Sequence, residues 1–221
     1  MDESHPVIKE LGSPGALLEG VFALLDRLDI DASTFEADHV CFRCADAMEY
    51  HRVVALCENV GARLVEGIIG GRPISTFLLK EPLRFRERSI RCLEVPAPKP
   101  GRRYESGWEH VELVVGGGAG GAGIPRDTAE PLRDLMRKHP SADWDARALD
   151  KHLNPDVSLA LPGGGGSVKF HALPLDEVVR IEVAKVVRIE IAERLVEPVV
   201  RIEIAEGLVE PVPADYWETL T

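Results

Sequence analysis

Asp38-His39-Val40-Cys41-Phe42-Arg43-Cys44 alternates polar and apolar side chains, the period of a half-buried strand. The period then changes. Asp46-Ala47-Met48-Glu49 has the spacing of a capping box and predicts a helix with Val53, Val54, Cys57 and Val60 on its apolar face, ended by Gly61. Three strand-like runs follow, Ala62 to Ile69, Pro73 to Leu79 and Ser89 to Val95. Gly70-Gly71 joins the first two, as a tight hairpin requires. Residues 38–95 thus read as strand, helix, strand, strand, strand.

Upstream, Ser13-Pro14 opens a helix carrying Leu17, Leu18, Val21, Phe22, Leu25 and Leu28 at helical spacing. Downstream, beyond the break Pro96-Ala97-Pro98-Lys99-Pro100, the same order recurs. Trp108 to Val115 predicts a strand, and Asp127 to His139 a helix with Leu132, Leu135 and Met136 on one side. Val157 to Leu161 and Ser167 to Ala172 predict a hairpin across Gly163–Gly166. Ala146 to Lys151 is the one weak candidate for the remaining strand. The expected fold is α+β: an N-terminal helix, then two βαβββ modules at about 38–95 and 108–172, in a domain spanning 1–176.

Residues 177–221 are different material. From Pro174 to Thr221 there are 11 acidic and 5 basic residues, and Val-Val-Arg-Ile-Glu recurs at Val178, Val186 and Val199. The last two copies extend over 13 residues and differ only at Arg194 and Gly207. Their spacing fits no regular solenoid. Val187, Ile191 and Leu195 suit a helix face, whereas Ile189 and Ile191 alternate as in a strand. We expect a mostly helical acidic extension, suited to covering an edge or to self-association, or else partly disordered.

The composition bounds the function. The 221 residues carry 26 basic and 37 acidic side chains, a net charge of −11, with 45% hydrophobic residues. No basic run offers a phosphate backbone its counter-charge, so nucleic acid is not the expected partner. No apolar run approaches the roughly 20 residues of a membrane helix. The start, MDESHPVIKELG, resembles neither a secretory nor a transit peptide, and four cysteines do not make a disulfide scaffold. The cytoplasm is the expected compartment.

Three histidines lie in predicted strands, His39, His110 and His171, and Glu94 lies late in a fourth. His39 and His110 come early in the first strand of each module, and Glu94 and His171 late in the last. The separations are 55 residues in one module and 61 in the other. Approximate two-fold symmetry between the modules brings all four to one point. Three imidazoles and a carboxylate are a donor set for a divalent transition metal such as Zn, Mn, Fe, Co or Ni. Strand alternation puts each histidine on the polar face: His39 with Cys41 and Arg43, His110 with Glu112, His171 with Lys169 and Ser167. Glu94 is less tidy, sharing its face with Ile90 and Cys92.

Two other patterns carry less. Cys41 and Cys44 form a C-x-x-C, but residues three apart on a strand face opposite ways. Gly116, Gly118 and Gly121 satisfy a dinucleotide fingerprint, yet GGGAGGAG contains such matches by composition, and the helix begins only at Asp127. A flexible loop explains the glycines better.

The segments ADHVCFRC, GGRPIS, GWEHVELV, LNPDVSLAL and SVKFHALPL resemble, in order and spacing, the YecM-like proteins of the vicinal oxygen chelate superfamily, over roughly Leu17 to Val179. The resemblance implies paired βαβββ modules forming one open cup around a metal. The ligands would come from the first and last strands of each module. Carried over, they are His39, Glu94, His110 and His171, the four that spacing selects. The superfamily includes glyoxalases, epimerases, ring-cleaving dioxygenases and resistance proteins that only bind. A small oxygen-rich anionic substrate is therefore expected, with isomerase, epimerase, lyase or oxygenase chemistry. The alternatives are a non-catalytic binder of metal or small molecules, and an interaction protein whose tail matters more than its cup. Arg43 and Arg72 are candidates to hold the substrate's anionic group. Glu112 is the candidate general base, or else a hydrogen-bond partner for an imidazole. Arg43 and Glu112 fit surface charge or an ion pair equally well, and packing suits Trp108 and Tyr104 better than lining the cup mouth.

Overall fold

A computed structural model describes residues 1–115, 127–151 and 154–181. Along these the chain forms α1 (Pro6–Leu11), α2 (Gly15–Arg27), β1 (Glu36–Arg43), α3 (Ala47–Val60), β2 (Gly61–Ile69), β3 (Arg72–Phe85) and β4 (Arg88–Pro96). The second half adds β5 (Gly107–Val114), α4 (Glu130–Lys138), β6 (Val157–Ala160), a short 3₁₀ turn and β7 (Ser167–His171). Residues 175–181 are again helical. The glycine run at 116–121 and the repeats beyond 181 lie outside the described residues.

The local signals act as expected. Asp46 accepts the Glu49 N–H at 2.8 Å while Glu49 accepts the Ala45 N–H at 2.8 Å, closing the start of α3. Gly70 and Gly71 take φ of 59° and 78°, which a two-residue hairpin turn of this hand needs. Ser13 caps the start of α2 by accepting the Gly15 N–H at 3.1 Å. Helix α1 is an addition: at six residues it is too short to show a period, and His5 caps it by accepting the Val7 N–H.

The seven strands form one open sheet in the order β2-β3-β4-β1-β5-β7-β6. β1 runs parallel to β4, β5 parallel to β7, and β1 and β5 meet antiparallel at the centre. Residues 36–96 therefore have the expected β-α-β-β-β order. Among the described residues the second half does not complete it. Ala146 to Lys151 is not a strand, and only an isolated bridge, Asp145 to Ser158, stands there. Backbone turns hold this segment instead, the Leu149 N–H donating to the Ala146 carbonyl at 3.1 Å and the Lys151 N–H to the Ala148 carbonyl at 3.3 Å.

One face of the sheet is apolar. Val40 and Phe42 of β1, Val111 and Leu113 of β5, and Val168 and Phe170 of β7 join one core with Val7, Leu18, Val53, Cys57 and Leu132 from the four helices. Burying such side chains is the main stabilising term of the fold. Among the described residues no helix is long and apolar enough to cross a membrane.

Candidate metal centre

The opposite face carries the polar residues, and strand register decides which of them meet. β1 sets Cys41 against Glu94 of β4 and against His110 of β5, so Glu94, Cys41 and His110 form one row. The next row is His39 against Glu112, with Glu112 against Lys169 of β7. Side chains opposed on neighbouring strands lie about 5 Å apart at Cβ. His171 closes the group from the end of β7.

The first histidine depends on a bulge. β1 advances from Ala37 to His39 while β5 advances only from Leu113 to Glu112, leaving Asp38 as the extra residue. Strict alternation would send Asp38 to the face opposite His39. The bulge instead allows Asp38 Oδ2 to sit 2.8 Å from His39 Nδ1, and Asp38 also accepts the Leu175 N–H at 3.1 Å. Both side chains are buried. Asp38 is a site residue that the sequence pattern missed.

Glu112 lies at the centre. Its Oε1 is 3.5 Å from His39 Nε2, 3.3 Å from His110 Nε2 and 2.8 Å from the Lys169 ammonium. Its Oε2 is 3.6 Å from His171 Nε2. Glu94 approaches His110 Nε2 at 3.8 Å, and His171 Nε2 is 3.6 Å from Asp38. Lys169 also reaches His110 Nε2, at 3.2 Å. Alternation placed Lys169 on the His171 face, but gave no reason to single it out.

Two donor groups share His39: His39, Glu94 and His110, and Asp38, His39 and His171. In each, the ligand atoms lie within 4.8 Å of one another. A third, Cys41, Glu109 and His110, adjoins the first. The four residues selected by spacing thus fall in one buried neighbourhood, with Glu94 and His171 in different groups. Glu94 is untidy in sequence because Ile90, in step with it along β4, joins the apolar core, whereas Cys92 and Glu94 do not. Cys41 faces the cluster and Cys44 joins the core, so the C-x-x-C thiols point apart.

The electrostatics follow from crowding. Burial opposes charge on His39, but the Glu112 carboxylate and the Asp38 hydrogen bond outweigh it and push its pKa up to about 10. Burial likewise opposes charge on Glu112, yet Lys169 and His39 hold its carboxyl well below the ordinary range. Glu94 is lowered against its burial by His110 and Lys169. Lys169 is raised, since Glu112 and Glu94 outweigh its desolvation. Burial pushes the Cys41 thiol far up.

The substrate candidates lie further out. Arg43 donates to Glu109 and to the Glu105 carbonyl, both at 3.3 Å, and covers the Tyr104 ring at 5.4 Å. It borders the cluster through Glu109. Arg72 opens β3 opposite Ile69, four residues before Thr76, which faces Glu94; that is roughly 13 Å along the strand. Trp108 packs edge-on against Phe42 and donates to the Gly12 carbonyl at 3.1 Å.

The residues present fit a metal. His39 Nε2 and both ring nitrogens of His171 are buried without a hydrogen-bond partner, a costly state for bare imidazoles. The Asp38 contact to His39 Nδ1 is the carboxylate–imidazole arrangement that orients a metal-bound histidine through its other nitrogen.

The chain is similar to several known proteins. The model of the YecM protein family matches residues 15–182. Protein YecM of Escherichia coli (strain K12) is 30% identical over 161 residues, 71% of this chain and 83% of that protein. An uncharacterized Haemophilus influenzae protein is 30% identical over 92 residues, 42% of this chain and 48% of that one. Among solved structures, the structural genomics target Protein EC4020 superposes with a TM-score of 0.61 at 27% identity, covering 82% of this chain and 94% of that one.

Proposed function

From the premise that this chain belongs to the YecM family, we propose that it is a metal-dependent enzyme of the vicinal oxygen chelate kind, acting in the cytoplasm on a small oxygen-rich anionic molecule. In this reading residues 1–176 are two related modules sharing one cup, and 177–221 is an appended extension suited to self-association. His39, Glu94, His110 and His171 hold a divalent transition metal, Zn, Mn, Fe, Co or Ni, with Asp38 orienting His39. When bound, such an ion supplies Lewis-acid chemistry, or oxygen chemistry if it is redox-active.

One observation carries the reading: buried imidazole nitrogens without partners stand beside an excess of buried carboxylates. Buried Asp38 and Glu112 and the partly buried Glu94, against the ammonium of Lys169, leave two uncompensated negative charges once His39, protonated in the metal-free chain, gives up its proton to act as a ligand. Buried charge of that size is expensive, and a divalent cation offsets it.

The chain's own groups divide the remaining work. Arg43, beside the cluster, holds the substrate's anionic end, with Arg72 at the hairpin as the outer candidate. Glu112 is the group placed to take a proton from the substrate. While paired to Lys169 it is too weakly basic for that task near neutral pH, so the pair has to loosen first. That engagement also favours a second reading, a protein that keeps the fold and binds metal or small molecules without turnover.

Loading the metal-depleted full chain with Mn²⁺ and following water-proton relaxation tests the proposal. Enhanced relaxation, reversed by a small chelating anion such as oxalate, is expected of an ion that substrate oxygens can reach. Absence of any enhancement contradicts it. Turnover lost in Glu112→Gln with metal retained would separate enzyme from binder.

A further inference from the structure

We propose that Lys169 is an internal competitor for the metal: its ammonium occupies the His110 nitrogen that the ion needs, and must leave that nitrogen before the ion is held. The inference rests on the metal reading above and adds what governs occupancy.

The argument begins with the chemistry of two groups. The unprotonated nitrogen of a neutral imidazole has one in-plane lone pair, which accepts a proton donor or binds a metal but not both. An ammonium has three donors and no lone pair, so it never joins the ligand set while charged. Lys169 Nζ lies 3.2 Å from His110 Nε2 and 2.8 Å from Glu112 Oε1. His110 Nε2 is also the nitrogen that Glu94 faces, at 3.8 Å, within the donor group His39, Glu94 and His110. The lysine thus engages the same nitrogen that this donor group would offer to an ion. Two cations at this range repel, more strongly in a partly buried site than in bulk water.

Register makes the placement deliberate. Lys169 opposes Glu112 on the neighbouring strand, and Glu112 opposes His39. The ammonium is aimed at the centre by the same ladder that aims the histidines. About a third of the side chain is exposed, whereas Glu112 and His110 are buried. The lysine alone in this group therefore has somewhere to go. Withdrawn toward solvent, it frees His110 Nε2 and Glu112 Oε1 together. Metal loading and release of the proposed base become one event.

Lys169→Met, which keeps the stem and removes the donors, tests this with Lys169→Gln as a second variant. Zn²⁺ is titrated calorimetrically into the metal-depleted full chain, and imidazole nitrogen resonances are recorded before any metal is added. Circular dichroism shows that each variant folds. The expected results are Zn²⁺ affinity about tenfold tighter in the variants and a displaced His110 Nε2 resonance in the metal-free variants. Zn²⁺ bound by the variants but not by the wild type would support the proposal equally. Unchanged or weaker affinity, or tighter affinity with the His110 Nε2 resonance unmoved, overturns it while the metal reading stands. No Zn²⁺ binding by the wild type or by either variant overturns both.

Discussion

Asp38 and His39 are consecutive residues of one strand, yet Asp38 Oδ2 lies 2.8 Å from His39 Nδ1, because a bulge lets both serve one face. The pairing fixes which ring nitrogen points into the cluster. Asp38→Asn keeps the size and removes the charge. It should weaken metal binding about 10–100-fold, measured by competition with a chromophoric chelator. An unchanged affinity would mean that Asp38 only anchors the Leu175 backbone.

In the metal-free chain His39 makes stability depend on pH. Its folded pKa of about 10 exceeds the unfolded value near 6.5, so the native state binds the extra proton between them. That contribution is complete below pH 6.5 and is lost as pH rises through 10. Urea midpoints of metal-depleted protein should fall across this window, and fall less in His39→Gln. A variant that tracks the wild type would show that His39 carries no such charge.

Glu112 has the opposite sign. Its folded pKa lies well below the unfolded value, so its contribution is present above about pH 4.5 and vanishes as acid reaches the folded value. Glu112→Gln should flatten the acid limb of the same urea series and also shrink the alkaline limb, because the Glu112 carboxylate is the chief cause of the raised His39 pKa.

Fold and site separate at Asp46. Its carboxylate caps α3 on the Glu49 N–H, and none of the donor groups includes it. Asp46→Ala should cost about 1 kcal/mol in urea unfolding, with metal stoichiometry unchanged.

Fold and site couple at Gly166. Its φ is +110°, and an added Cβ would lie 2.6 Å from the Glu109 carbonyl oxygen, one residue before His110. Gly166→Ala should destabilise by roughly 2 kcal/mol or more and weaken metal binding with it. Loss of stability with full metal affinity would show that the two are independent.

The sequence makes the strands legible where one face is apolar and the other polar. At 38–44 and 108–114 alternation alone identifies the polar face and the histidines on it. The α3 capping box and the Gly70-Gly71 turn are local chemistry and can be read directly. Asp38 could not be read, because a bulge is a relation between two strands and leaves no mark on one of them. Lys169 was visible on its face, but its importance arises from its opposition to Glu112 across β5 and β7. The Glu94 face was obscured because Ile90, in step with it along β4, joins the apolar core, and the segment at 146–151 lacks the alternation that would make it a strand.

Metal content is the most direct test. Inductively coupled plasma mass spectrometry should find about one transition-metal ion per chain in the wild-type protein and little in His110→Ala. No metal in either, even after incubation with Zn, Mn, Fe, Co or Ni, would leave the fold intact and contradict the metal centre.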